Sequence, residues 1–126
     1  MTGAGRRIGR AIALDLAATG ATVVVHYNRS KKDAESVVAE IKAGGGKATA
    51  VQADLMDEKA AAKLIARAAA AVGPLDCLVN NSSVFKEDDP RTATRETWDV
   101  HMQVNVRAPF LLTQAFAAQL PKRTEG

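Results

Sequence analysis

The apolar residues of this chain switch repeatedly between a helical period and the continuous runs of buried strands, and this alternation constrains the fold most. Apolar residues at helical spacing predict four helices: from Ile8 to a stop at Gly20, from Ser30 to Gly44, from Asp57 to Gly73, and from about Thr94 to Leu120. Runs of β-branched and small apolar residues predict three strands, at Ala21–Tyr27, Ala48–Ala53 and Leu75–Val79. Helices alternating with strands imply parallel strands and right-handed crossovers, so the expected fold is α/β with a doubly wound sheet.

Length, charge and cysteine content exclude several classes of protein. At 126 residues the chain is expected to be one domain, residues 1–126. The net charge of +3 is scattered, with no basic face interleaved with aromatic residues, so no nucleic-acid partner is expected. No stretch reaches the roughly 20 apolar residues that span a bilayer and no leader is seen, so we expect a cytoplasmic protein without a membrane partner. The single cysteine, Cys77, is expected to be a buried strand thiol.

A glycine-rich segment, Thr2–Gly9, opens the first predicted helix. Glycines let the backbone approach a pyrophosphate, and the helix N-terminus supplies free N–H groups and the positive end of the helix dipole. Such a segment is also used as a plain turn, so alone it is a weak signal. Other motifs strengthen it, because Asp54-Leu55 follows the second strand, Asn80-Asn81 follows the third, and Asn105 lies in the last helix.

Together these motifs resemble the short-chain dehydrogenase/reductase family along the whole chain. The family has glycine at the position of Arg7, and a basic pair followed by Ile-Gly, here Arg6-Arg7-Ile8-Gly9, resembles its pteridine reductase branch in particular. The resemblance implies an incomplete Rossmann-like fold, which lacks the first strand and the C-terminal half. In the family that strand is central, so its absence is expected to leave the strand edges at residues 21–27 and 75–80 unpaired.

The resemblance assigns the phosphate and adenine ends of a cofactor site to particular residues. Gly3, Ile8 and Gly9 match the turn that holds the pyrophosphate. Asp54 matches the residue that receives the adenine amino group, a role compatible with capping a turn, and Leu55 is expected against the adenine.

The nicotinamide end is assigned from the motif after the third strand. Asn80 matches the residue that steadies the central strands and borders the cofactor. The usual Asn-Asn-Ala-Gly of the family ends here in Ser82 and Ser83, whose hydroxyls are expected beside the nicotinamide ribose.

Charge at the end of the strand at residues 21–27 indicates which cofactor is bound. An NAD enzyme usually places Asp or Glu there, and a carboxylate would repel a 2′-phosphate. This chain has no acid in the segment, which reads His26, Tyr27, Asn28, Arg29, Ser30. Arg29 can bind the phosphate, Ser30 can add its hydroxyl and N–H, and Arg7, beside Arg6, can reach it from the turn. The alternative is that Arg7 and Arg29 are solvated surface charges. The sequence therefore predicts NADP(H) as the cofactor.

Asn105 and Pro109 form a pair at helical spacing. Proline has no N–H, so Pro109 leaves the Asn105 carbonyl without its usual partner inside the helix. As a structural feature this predicts a kink. In the family, the matching asparagine uses this carbonyl to hold a water in the proton relay to the catalytic lysine, so Asn105 is the one catalytic residue assigned.

Phe85 has two interpretations that the sequence leaves equally open. Pteridine reductases have an aromatic at this position that stacks on the pterin ring, and Phe85 would then be a substrate residue. The alternative is a loop anchor folded onto the core. Trp98, Met102 and Phe116 are expected to pack the last helix, whose exposed face is also a candidate contact in a dimer or tetramer. His26 and His101 lack a metal-ligand pattern, so no metal is expected.

In the family a Tyr donates the proton, a Lys four residues later lowers the pKa of that Tyr, and a Ser steadies the carbonyl. The only tyrosine, Tyr27, lies at the cofactor end of a strand and is not expected to be that acid.

Two hypotheses for the function follow. One is that this chain is the cofactor-binding portion of an NADP(H)-dependent oxidoreductase and is inactive alone. The small-molecule substrate of that enzyme would be a pterin, a ketone or an acyl-carrier ketone. The other is a non-catalytic NADP-binding module.

Overall fold

A computed structural model describes residues 1–120, and the last residues of the expected domain, 121–126, lie outside that range. The helices are α1 (Arg7–Ala18), α2 (Lys31–Ala43), α3 (Glu58–Val72), α4 (Arg95–Met102) and α5 (Ala108–Gln119), and the strands are β1 (Thr22–Tyr27) and β2 (Lys47–Gln52). The first three predicted helices and the first two predicted strands are therefore confirmed, and the fourth predicted helix is divided into α4 and α5. No helix within the described residues is long and apolar enough to cross a membrane.

The two strands pair in parallel, with Thr22 opposite Lys47 and Tyr27 opposite Gln52. Alternate side chains of β1 point to opposite faces, and each face is covered by helices. Val24 packs into a core with the apolar residues of α3 and α5, whereas Val23 and Val25 pack against those of α1 and α2. Helices on both faces of a parallel sheet confirm the Rossmann-like α/β architecture.

Local chemistry sets the ends of the helices. The Asp57 carboxylate accepts the N–H groups of Lys59 and Ala60 and so caps the N-terminus of α3. Gly73 ends α3 with a left-handed backbone, φ 94°, which a side chain would disfavour. Ser30 occupies the cap position of α2, but its hydroxyl makes no capping bond to the first N–H groups of that helix.

The third predicted strand, Leu75–Val79, is wrong as a hydrogen-bonded element. Among residues 1–120, its backbone receives one backbone hydrogen bond, from the N–H of Thr2 to the carbonyl of Val79 (3.0 Å). A strand needs a neighbour along its whole length, and within the described residues only Met1 and Thr2 lie between this segment and β1. The same gap leaves Cys77 exposed, so the predicted burial of its thiol is also wrong.

The last predicted helix is interrupted near its middle. Between α4 and α5 the backbone widens into a π-helical turn, Gln103–Arg107, in which the N–H of Ala108 bonds to the carbonyl of Gln103 five residues back. Pro109 follows at the start of α5, where it cannot close the normal bond to Asn105. The predicted disturbance is therefore a π turn, a feature frequent at functional sites.

Candidate functional site

A cleft of about 320 Å³ lies at the carboxyl ends of β1 and β2, where ligands bind in open α/β sheets. Many of the residues singled out from the sequence line it: Gly3, Arg6, His26, Tyr27, Asn28, Arg29, Ser30, Asp54, Leu55, Ser82 and Ser83. The others lie outside the lining: Arg7, Ile8, Gly9, Asn80, Phe85 and Asn105. The sequence-derived set is thus split between this cleft and its surroundings.

The glycine turn is closely packed at two positions. Gly3 has a left-handed backbone, φ 60°, and a β-carbon there would lie 2.8 Å from Oγ of Ser82. At Gly9, a β-carbon would lie 2.2 Å from the carbonyl oxygen of Gly3, so any side chain would push α1 away from the turn. Ile8, the second residue of α1, is exposed. The glycines therefore let the turn and the helix approach each other.

The N-terminus of α1 is available to an anion. Arg6 occupies the cap position and makes no side-chain capping bond, so the first N–H groups of the helix keep their hydrogen-bonding capacity. Arg7, the first helical residue, has a left-handed backbone with φ 47°. This position is the one where the family has glycine, and a non-glycine residue in that conformation costs about 1–2 kcal/mol.

A small polar cluster joins the turn to the segment after residue 79. The Thr2 hydroxyl accepts the N–H groups of Asn81 and Ser82, both at 3.0 Å, and Nδ2 of Asn81 donates to the carbonyls of Thr2 (3.1 Å) and Gly3 (3.2 Å). Asn80 instead donates to Oγ1 of Thr113 on α5 at 3.4 Å. Sequence reasoning chose Asn80 and missed Thr2 and Asn81. Adjacent residues of an extended chain point to opposite sides, so only one of Asn80 and Asn81 can face the turn, but the sequence does not show which.

His26 is a buried link between the turn and β2. Its Nδ1 accepts the N–H of Gly3 (3.2 Å), and its Nε2 lies 3.0 Å from the carbonyl oxygen of Ala53, a distance at which Nε2–H donates. Burial lowers the pKa of His26, the hydrogen bond with Ala53 raises it, and the charges of the N-terminus and Arg67 lower it further. The ring is therefore neutral, with its proton on Nε2.

Asp54 organises the adenine end of the cleft. Its Oδ1 accepts the N–H of Met56 (2.9 Å), which confirms that it caps a turn, and also accepts Nδ2 of Asn28 (3.2 Å). Gln52 donates to the carbonyl of Asn28 (3.2 Å), which ties the ends of both strands together. The carboxylate is thus held at the edge of the cleft.

Positive charge dominates the phosphate end of the cleft. Arg6 forms an ion pair with Asp33, in the first turn of α2, so that carboxylate is neutralised. Arg29 forms no ion pair with any carboxylate of residues 1–120 and is exposed. The guanidinium of Arg29 is therefore free to bind an anion beside the Ser30 hydroxyl.

The loop after residue 83 is fixed to the last helix by two side chains. Asn105 accepts the N–H of Val84 and donates to its carbonyl, both at 2.8 Å. Nε2 of His101 accepts the N–H of Lys86 (2.9 Å), and the Phe85 ring lies edge-on to His101 with centroids 6.3 Å apart. Phe85 is 85% exposed, so its interpretation as a loop anchor folded onto the core is wrong.

A further pair at catalytic spacing was missed in the sequence. Lys31 stands four residues after Tyr27, the spacing of the family's tyrosine and lysine. In the structure Tyr27 ends β1 and Lys31 begins α2, where Nζ of Lys31 lies 3.6 Å from Glu35. The two residues therefore do not share a helix. Among residues 1–120, no group of three or more potential metal ligands comes together.

Comparison with known proteins identifies one family for the chain. The family model described as short chain dehydrogenase matches residues 1–126. The hydroxynaphthalene reductase-like protein Arp2 of Metarhizium guizhouense is 42% identical over 116 residues, which cover 90% of this chain and 43% of that protein. The chain thus spans less than half the length of this relative.

Solved structures superpose closely on the described fold. A short-chain dehydrogenase of Burkholderia cenocepacia in complex with NADP is 44% identical with a TM-score of 0.90, covering 94% of this chain and 49% of that one. FolM alternative dihydrofolate reductase 1 of Brucella canis, complexed with NADP, is 38% identical with a TM-score of 0.91, covering 99% and 50%.

Proposed function

This chain belongs to the short-chain dehydrogenase family, and from that premise we propose that it is the cofactor-binding portion of an NADP(H)-dependent oxidoreductase. The observation that carries the proposal is the charge at the end of β1. Residues 26–30 contain no acid, Asp33 is neutralised by Arg6, and Arg29 has no carboxylate partner among residues 1–120. A 2′-phosphate satisfies Arg29 and Ser30, whereas the ribose hydroxyls of NAD leave that charge unused.

The residues of the cleft fit the remaining parts of the cofactor. The uncapped N–H groups of α1, together with Gly3, Ile8 and Gly9, bind the pyrophosphate. Asp54 receives the adenine amino group, and Leu55 packs against the ring. Two hydrogen bonds hold these groups in place, since His26 accepts the N–H of Gly3 and Asn28 donates to Asp54.

At the nicotinamide end the proposed residues are Asn80, Ser82 and Ser83, of which the two serines line the cleft. The cofactor supplies a hydride when bound. Asn105 holds a water through its main-chain carbonyl, while its side chain positions Val84. The π turn supports this role, because Pro109 cannot donate to that carbonyl.

For the substrate, we propose a flat ring such as a dihydropterin. The exposed Phe85 ring supports this, because it offers a stacking face held in place by the bonds to Val84 and Lys86. The resemblance of Arg6-Arg7-Ile8-Gly9 to the pteridine reductase branch and the similarity to an alternative dihydrofolate reductase point the same way. A ketone or an acyl-carrier ketone is the alternative.

We also propose that the whole protein is a dimer or tetramer formed by copies of itself. The support is an apolar surface along the last helix, where Trp98, Met102, Val106 and Phe110 are 40–61% exposed. The expected packing role of Trp98 and Met102 is wrong, whereas Phe116 packs against the core as expected. Contiguous exposed apolar surface of this kind marks a protein contact.

The proposal is tested by titrating the purified protein with NADPH and NADH and following nicotinamide fluorescence. We expect NADPH to bind more than tenfold tighter, since a tenfold ratio corresponds to about 1.4 kcal/mol and a charge-assisted contact exceeds that. Arg29→Asp is expected to remove most of the preference. Arg91→Asp, an exposed arginine outside the cleft, is the matched control and is expected to keep it. Equal affinities for the two cofactors in the unmodified protein would refute the assignment.

A further inference from the structure

Three side chains from α4, the π turn and α5 bond to the chain between residues 80 and 86, and they meet it in reverse order. The pairs are Thr113 with Asn80 (3.4 Å), Asn105 with Val84 (2.8 Å) and His101 with Lys86 (2.9 Å). The helices therefore run antiparallel to this segment and fix its course. The last pair lies beyond the residues that line the cofactor cleft.

The ring of His101 is oriented by its own helix. Its Nδ1 lies 2.7 Å from the carbonyl oxygen of Thr97, one turn earlier, and a carbonyl only accepts, so Nδ1 carries a hydrogen. Nε2 is then the acceptor, and it accepts the N–H of Lys86 at 2.9 Å. Thr97 is itself held by a capping box with Thr94 at the start of α4. The ring thus presents one fixed acceptor to the loop.

The spacing of His101 and Asn105 matches the spacing of the residues that they bind. The two side chains are four residues apart, which is about 6 Å along a helix. Val84 and Lys86 are two residues apart, in neither a helix nor a turn, and two extended residues span about 6.6 Å. In an extended chain the backbone groups of alternate residues point to the same side. Phe85, between them, is therefore anchored on both sides.

Phe85 is anchored and yet left in solvent. Its ring is 85% exposed and stands edge-on to that of His101, with centroids 6.3 Å apart and an interplanar angle of 65°. Val84, the residue before it, lines the cofactor cleft. A phenyl ring held in water beside a ligand cleft offers its face for stacking and does not contribute to the core.

We propose that His101 is a positioning residue of the substrate site, which holds Phe85 where a planar substrate ring stacks. His101 lies outside the lining of the cofactor cleft and acts through the loop. The inference rests on the proposed planar substrate and adds the residue that keeps the stacking ring in place. Without this acceptor, the N–H of Lys86 bonds to water and Phe85 is held from one side only. The affinity for a planar ring then falls equally in the ground state and the transition state.

Steady-state kinetics of the whole enzyme with 7,8-dihydrobiopterin and NADPH test this role. His101→Phe keeps an aromatic ring but no acceptor, and it is expected to raise the KM for the pterin about fivefold, with kcat and the KM for NADPH unchanged. His101→Gln, whose carbonyl oxygen can accept the same N–H, is expected to restore the KM to within about twofold. Glu96→Phe, at an exposed position in the first turn of the same helix, is the matched control and is expected to keep the KM.

A double-mutant cycle determines whether His101 acts through Phe85. Phe85→Ala is expected to raise the KM for the pterin, and adding His101→Phe to it is expected to raise the KM no further, because no ring is left to position. Additive increases, or an unchanged KM in His101→Phe alone, overturn the role of His101 and leave the proposed substrate standing. No turnover of the pterin by the unmodified enzyme, or no effect of Phe85→Ala, refutes the proposed substrate and with it this role.

Hydrogen exchange at Lys86 provides a readout that needs no substrate. Measured by mass spectrometry with residue-level fragmentation, it is expected to be faster in His101→Phe and unchanged in His101→Gln and Glu96→Phe. Exchange at Val84 is expected to stay slow in all three, because Asn105 holds that residue. If His101→Phe does not fold, His101→Leu, which removes the same acceptor, replaces it in every measurement. Unchanged exchange at Lys86 overturns the proposal.

Discussion

At the scale of single residues, Arg7 has the only left-handed backbone found at a non-glycine residue between positions 1 and 120 (φ 47°). Its side chain is exposed and lies outside the cofactor cleft, so nothing in the described cleft compensates for the strain. We expect Arg7→Gly to raise the free energy of unfolding by about 1 kcal/mol, since glycine adopts this conformation without a steric penalty.

Urea unfolding followed by circular dichroism measures this difference. Lys63→Gly is the matched control, because Lys63 is an exposed residue in the interior of α3 with ordinary helical backbone. That substitution is expected to lower the free energy of unfolding by about 1 kcal/mol. A decrease for both variants would show that Arg7 is not strained.

His26 makes the stability of the chain depend on pH. Burial lowers its pKa below the ordinary value of 6.5, so the unfolded chain binds a proton more readily than the folded one. The free energy of unfolding is therefore fully retained above about pH 6.5 and falls as the pH drops below it, toward the lower folded-state pKa. Protonation at Nδ1 also removes the acceptor of the Gly3 N–H. We expect measurably lower thermal stability at pH 5.5 than at pH 7.5.

The control separates His26 from the other histidine of the chain. His101→Gln is expected to keep the loss of stability at pH 5.5, whereas His26→Gln is expected to lose most of it and to be less stable at both pH values. Scanning calorimetry at the two pH values provides the comparison. An unchanged pH dependence in His26→Gln would assign the effect to other groups.

At the scale of elements, the π turn and the loop after Ser83 form one unit, because the Asn105 amide makes two hydrogen bonds with the backbone of Val84. Asn105→Leu removes both bonds and is expected to destabilise the protein by about 1–3 kcal/mol. It is also expected to speed hydrogen exchange at Val84 and Lys86, measured by NMR. Gln103→Leu, which loses a bond to the carbonyl of Leu55, is the control and is expected to leave that exchange slow.

The elements differ in how far the sequence could predict them. The pattern predicted β1 and β2 because each has a partner strand and apolar cover on both faces. It predicted a strand at Leu75–Val79 from the same kind of apolar run, yet pairing depends on a neighbour that local pattern does not show. The presence of Pro109 predicted a disturbance in the last helix, but its form, a π turn, depends on backbone bonds that residue type does not specify.

The candidate site, like the elements, could be predicted from the sequence only in part. Position and residue type predicted the cleft lining from His26 to Ser30, because strand ends in parallel sheets meet at one edge. The partner of Arg6 and the link from Thr2 to Asn81 were not predictable, since they join residues 27 and 79 positions apart. Long-range polar contacts leave no periodic trace in the sequence.

At the scale of the whole molecule, the described fold contains the proposed phosphate and ribose site, and of the proposed proton relay it contains only Asn105. We expect a polypeptide of residues 1–126 to show no turnover of NADPH with pterins, quinones or ketones. A positioned general acid contributes about 10²- to 10⁴-fold to the rate, and in the family a Lys lowers the pKa of the Tyr that serves as this acid. Here Tyr27 ends β1, and Lys31 pairs with Glu35 at the start of α2.

The assay follows the absorbance of NADPH. Circular dichroism first shows that the polypeptide is folded, and mass spectrometry shows that it ends at Gly126. NADPH binding measured on the same sample is the control, because the proposed phosphate-binding cleft is lined by residues of this chain. Tyr27→Phe and Lys31→Met are tested in parallel, since these residues have the spacing of the family pair and Tyr27 lines the cleft. Robust turnover that either substitution abolishes would overturn the prediction and would make Tyr27 the proton donor, with Lys31 beside it. Binding without turnover is the expected result, because the residues proposed to bind the cofactor phosphates provide no proton for the product.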